Sequence, residues 1–119
     1  MKKFFVVVVV LLFSATTTFA DEKEQVHKIC SHFSEEGGKI MEARQQGIPM
    51  APVIDVIRDE YGWDQDTLNV FERMVQEAYS VSISEDPSEV QRIISEYQSG
   101  VYERCRMSLE NELNLYEED

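Results

Sequence analysis

The side chains best suited to chemistry crowd into one short stretch, where His27, Cys30, His32, Glu35 and Glu36 lie within a few helical turns of one another. His27 and His32 are the only histidines. A spacing of five residues sets them about 140° apart around a helix axis, too divergent to grip one metal ion. His27 with Cys30, or His32 with Glu35 or Glu36, supplies two ligands, whereas a structural zinc site takes four and a catalytic one takes three and a water. Both histidines therefore read as solvated helix positions. Asp64-Gln65-Asp66-Thr67-Leu68-Asn69 opens like a calcium loop, but such a loop needs an oxygen ligand at its fifth position and Gly at its sixth, and these are Leu68 and Asn69. The adjacent acids Glu35 and Glu36, and Glu117 and Glu118, point apart on a helix instead of facing a common substrate. No nucleophile elbow, zincin, phosphate-loop or dinucleotide pattern occurs, and no Ser, His and Asp are spaced as a triad. The sequence thus nominates no catalytic, cofactor-binding or metal-ligating residue.

The two cysteines, Cys30 and Cys105, are better suited to each other. An even pair in a small domain reads as a disulfide if the chain reaches an oxidising compartment. The N-terminus predicts that it does. Met1-Lys2-Lys3, the unbroken apolar run Phe4 to Phe13 and the small-residue ending Thr18-Phe19-Ala20 are the three parts of a secretory signal, with cleavage expected after Ala20. The apolar run is only half of the roughly 20 residues that a membrane-spanning helix needs, so no stable membrane anchor is expected after cleavage. No Cys follows the cleavage point closely enough for lipid attachment. The expected destination is the periplasm or the medium.

Asp21 to Asp119 is the size of one ordinary domain of about 100 residues. The full chain carries 11 basic and 23 acidic side chains for a net charge of −12, and cleavage removes Lys2 and Lys3 but no acid. Nucleic acid is excluded as a partner, because binding it requires basic side chains to neutralise phosphates, and anionic lipid surfaces are disfavoured for the same reason. A basic protein is the kind of partner such a charge admits.

Behind these residues stand helices. Val26, Ile29, Cys30, Phe33, Gly37, Ile40 and Met41 keep the spacing of one helical face, predicting a first helix over about 22–46 that Gly47 and Pro49 end. Gly37 suggests a close helix crossing; Gly38 beside it has no evident reason. Met50, Val53, Ile54, Ile57 and Tyr61 predict a second helix over 51–61, and Gly62 stops it. Asp64 then caps a third over about 65–81, with Leu68, Phe71, Val75, Ala78 and Tyr79 inward. Asp86-Pro87-Ser88-Glu89 is the best helix start in the chain, an acid at the cap followed by Pro at the first helical position. Val90, Ile93, Ile94, Tyr97, Val101, Cys105 and Leu109 form the inward face of that last helix. Beyond Asn111 the acids of 112–119 oppose the helix dipole and predict a frayed, mobile tail. Both cysteines lie on inward faces, so the first and last helices should be neighbours. The expected fold is all-α: a signal peptide over 1–20, then a three- to four-helix bundle over 21–111 with one disulfide joining its first and last helices, then the tail.

Between Cys30 and Ile57 the run Glu42-Ala43-Arg44-Gln45-Gln46-Gly47-Ile48-Pro49, followed by a short helix, resembles small exported two-cysteine helical proteins of bacteria and prophages. The resemblance implies that a second cysteine, here Cys105, closes the last helix, and it implies no activity. For function, export, a stapled scaffold and an acidic surface favour a protein-binding module of inhibitor or immunity type. A small periplasmic enzyme and an acid-responsive envelope stress protein are the alternatives. Tyr61 and Trp63, either side of Gly62, are the candidate partner contacts; the competing role is that one or both rings cover the end of the core.

Overall fold

The computed structural model describes residues 18–117, which form four helices: α1 (Thr18–Gln45), α2 (Met50–Tyr61), α3 (Gln65–Tyr79) and α4 (Pro87–Glu117). Apart from its last three residues, the expected signal peptide lies outside this range, as do residues 118–119. No strand occurs among the described residues.

The helix ends follow from local chemistry. Gly47 takes a φ of +79°, and the Gly47 and Ile48 amides donate to the Arg44 and Ala43 carbonyls, each at 3.0 Å, which closes α1 with a left-handed cap. The Asp64 carboxylate caps α3, accepting from the Asp66 amide at 3.2 Å and the Thr67 hydroxyl at 2.7 Å. Asp86 caps α4 through the Ser88 amide at 3.0 Å and hydroxyl at 2.9 Å, and these bonds hold its carboxyl below the ordinary aspartate range. Helix α2, by contrast, starts on Pro49 without a side-chain cap.

The helices run up, down, up and down. Cys30 is bonded to Cys105, the Ser34 hydroxyl donates to the Gln98 carbonyl at 2.9 Å, and Gly37 packs against Tyr97 and Val101, so α4 descends along α1. Phe33 meets Phe71 with ring centroids 5.1 Å apart and Arg44 lies over the Tyr79 ring, so α3 ascends beside α1. The α2–α3 hairpin is much shorter than the α1–α4 pair. Its inner face closes a core in which Phe71, Val75 and Ala78 are fully buried against Met41 and Ile40 of α1, Ile57 of α2 and Val101 of α4.

Three expectations change. Helix α3 stops at Tyr79, short of Val81, because α1 holds the chain beyond it: Arg44 Nε donates to the Val81 carbonyl at 2.9 Å and Gln45 Nε2 to the Ser82 carbonyl at 3.0 Å. Helix α4 continues past Asn111 to Glu117, so the acidic segment starts as helix; the dipole penalty of a few tenths of a kcal/mol per charge does not outweigh continued helix propagation through Leu113 and Leu115. Ile29, read as inward, is 43 % exposed, because the short hairpin leaves the flank of α1 at that level open.

Candidate functional site

Cys30 and Cys105 form the disulfide, their Cα atoms 5.5 Å apart, with Cys30 fully buried. The two histidines go to different places. His27 Nδ1 shares a hydrogen bond of 2.7 Å with the Tyr102 hydroxyl, tying α1 to α4. His32 Nε2 shares one of 3.0 Å with the Tyr61 hydroxyl, tying α1 to α2. Each is spent on a tyrosine, and among the described residues no three His, Cys, Asp or Glu side chains converge where they could hold a metal ion.

Tyr61 and Trp63 part company. The Tyr61 ring stacks on Phe71 with centroids 4.3 Å apart, and burial raises its phenol above the ordinary tyrosine range. It belongs to the core. Trp63, two residues on, is 81 % exposed. Its indole N–H donates to the Glu60 carbonyl at 3.0 Å, so the ring is anchored at one edge while its faces meet solvent. Around it the α2–α3 turn is acidic: Asp59, Glu60, Asp64 and Asp66 lie within a few residues, and the nearest arginine, Arg58, is bound to Glu72 at 3.1 Å.

A second feature was not legible beforehand. Helices α3 and α4 both pack on α1 but scarcely on each other, and an open groove of about 330 Å³ runs between them toward the disulfide end. Ile29 and Phe33 of α1 form its floor, Val70 and Met74 its α3 wall, Val101 and Leu109 its α4 wall. At one end Arg104 closes it with a 2.9 Å ion pair to Glu77, which also raises the guanidinium's already high pKa. Arg73 and Ser108 edge it farther along. Val70 falls beside the main apolar stripe of α3 and Ile29 was assigned to the core; a departure of apolar residues from one face is the only hint the sequence offered, and many helices show it.

Helical spacing does not mark Gln45 either. It is a buried polar residue whose amide donates to the Ser82 carbonyl and accepts from the Ser84 amide at 2.9 Å, fastening the α3–α4 connection to α1. No helix among the described residues is long and apolar enough to cross a membrane. No family model, curated protein or solved structure matches the chain.

Proposed function

We propose that the chain is an exported binding module, periplasmic or secreted, that engages a basic protein through the turn carrying Trp63. The observation that carries this reading is the 81 % exposure of a tryptophan already held by a hydrogen bond. Leaving so large an apolar ring in water is unfavourable for the isolated chain, and tryptophan is among the residues that dominate binding energy when an interface covers them. Its tether lowers the entropic cost of ordering it on contact. The acidic surroundings set the sign of the partner, since a field of this polarity speeds encounter with a basic surface and repels an acidic one. The disulfide supports an extracytoplasmic setting, because such bonds persist in oxidising compartments, and the N-terminal signal supplies the route. An inhibitor or immunity-type role fits a rigid scaffold that presents one contact turn.

Trp63 is the chain's single tryptophan, which makes the test direct. The mature protein is used to capture partners from an envelope or medium extract of its host, and binding of the purified partner is followed by Trp63 emission. A basic partner should shift that emission to the blue and associate more slowly as salt rises. Trp63→Ala should weaken binding by about 2 kcal/mol, roughly thirtyfold in Kd. An acidic partner, or one that leaves Trp63 emission and the salt dependence unchanged, overturns the reading.

A further inference from the structure

The α3–α4 groove combines an apolar bed with a free positive charge, and that pairing is unusual in so acidic a chain. Among the described residues five of the six arginines are engaged. Arg44 holds the Val81 carbonyl, while Arg58, Arg92, Arg104 and Arg106 each hold at least one glutamate. Arg73 alone has neither an ion pair nor a hydrogen bond, and it stands on the groove's edge. Register brings a donor opposite it. Glu77 of α3 pairs with Arg104 of α4, and the two helices are antiparallel, so one turn farther along each comes Arg73 on α3 and Ser108 on α4.

Below that edge the surface is apolar. Ile29 is 43 % and Val70 41 % exposed, although side chains of this kind gain about 25 cal/mol for every Å² removed from water. The bed extends along α4 from Val101 to Leu109, roughly 12 Å at the helical rise of 1.5 Å per residue. A groove of about 330 Å³ lies at the small end of the range for ligand sites. Its length and volume suit one unbranched chain of medium length.

We infer that this groove binds a single-chain amphiphile with an anionic head, the acyl chain lying on Ile29, Phe33, Val70 and Leu109 and the head held between the Arg73 guanidinium and the Ser108 hydroxyl. Charge complementarity selects the head. Among the residues lining the groove Arg104 is offset by Glu77, which leaves the Arg73 guanidinium as its one unpaired charge, and acids farther away than a Debye length of about 8 Å are screened at physiological salt. A neutral chain would leave Arg73 unpaired; a cationic one would be repelled by it. Carboxylate and phosphate heads satisfy the same guanidinium geometry, so an acyl carboxylate and a phosphate monoester share the chemistry. The site is separate from the Trp63 turn and does not depend on the partner proposed for it.

The test titrates the disulfide-intact protein with dodecanoate, dodecyl phosphate and dodecanol, each below its aggregation concentration, and reads methyl NMR shifts. Expected are saturable one-to-one shifts at Val70, Val101 and Leu109 with either anion, and at least tenfold weaker binding of dodecanol. Whichever anion binds more tightly identifies the head. Arg73 is exposed and makes neither an ion pair nor a hydrogen bond among the described residues, so Arg73→Ala should keep the fold and weaken both anions about tenfold, the loss of one charge-assisted contact, while leaving dodecanol unchanged. Val70→Glu, also at an exposed position, should abolish binding of both anions. Shifts that do not saturate, equal affinity for acid and alcohol, or indifference to Arg73→Ala would overturn the assignment.

Discussion

Tyr97 shows how much one side chain can carry where three helices meet. Its ring lies against Gly37 of α1, and its hydroxyl donates to the Met74 carbonyl of α3 at 2.9 Å. Burial first, then the nearby Glu77, pushes its phenol up from 10.0 to about 12, with Arg104 opposing. The consequence for stability has a definite sign. Below pH 10 the phenol is neutral in both states and its contribution is complete. Between about 10 and about 12 the unfolded chain gives up a proton that the folded chain retains, so stability falls as pH rises through this window. Tyr97→Phe should cost about 1 kcal/mol at neutral pH through the lost hydrogen bond and should flatten the alkaline decline. Urea unfolding of both proteins at intervals from neutral pH to about 11.5 measures the two slopes, and equal slopes would refute the assignment. Tyr97 was legible as an inward residue, since it keeps the spacing of the α4 stripe. Its partner was not, because a hydrogen bond to a backbone carbonyl of another helix leaves no mark in the periodicity. Gln45 escaped for the converse reason: a polar side chain four residues after Met41 looks like the solvent edge of the stripe, and only the folded α3–α4 connection gives it two backbone partners to satisfy.

Adjacent glycines in α1 test how tightly the two long helices approach. A Cβ on Gly37 would sit 3.1 Å from Met74 Cε and 3.2 Å from Val101 Cγ2, against a β-branched side chain with little freedom to move. A Cβ on Gly38 would instead run into the side chain of Gln98, which is long and can swing aside. Either change to alanine gains up to about 1 kcal/mol of helix propensity. Overpacking at Gly37 costs about 1–3 kcal/mol, whereas rotating Gln98 costs less. Gly37→Ala should therefore be less stable than Gly38→Ala by about 1 kcal/mol, with Gly38→Ala close to the parent, as parallel denaturant melts would show. The opposite order would mean that α1 and α4 cross elsewhere. The crossing at Gly37 could be anticipated from a glycine on an apolar stripe. Gly38 had no visible reason because its neighbour in space, Gln98, lies far along the chain. The helices themselves were readable for stronger causes: Gly47, Asp64 and Asp86 act on their immediate neighbours, so the turns they make do not depend on the rest of the fold. The end of α3 was misplaced because Arg44 and Gln45, not the local sequence, decide where it stops. The groove was hidden for the same reason, since the gap between α3 and α4 is a matter of how two helices share a third.

At the scale of the molecule, the disulfide sets how the long helices are held beyond the hairpin. Near Gly37 the α1–α4 pair is clasped by α3, whose Met74 and Phe71 fill the core; near Cys30 the groove is open on the α3 side and fewer apolar side chains bridge the helices. The covalent bond stands at this thinner end. It also joins residues 75 apart in sequence, so it removes unfolded-state freedom worth about 4 to 5 kcal/mol in the chain-entropy account, a large share of the roughly 5–15 kcal/mol typical of a domain. Replacing Cys30 and Cys105 together with Ser should lower stability by about 2–5 kcal/mol, and a reducing agent should do the same to the parent. The loss should be uneven. Hydrogen exchange should accelerate most in α1 around Val26–Cys30 and in α4 beyond Val101, where the disulfide and the exposed His27–Tyr102 hydrogen bond link the two helices. Amides of α3 around Phe71 and Val75, buried against Met41, should keep more of their protection. Melting that is unchanged by reductant would deny the bond its structural role, and acceleration spread evenly over all four helices would show that the two ends of the bundle open as one.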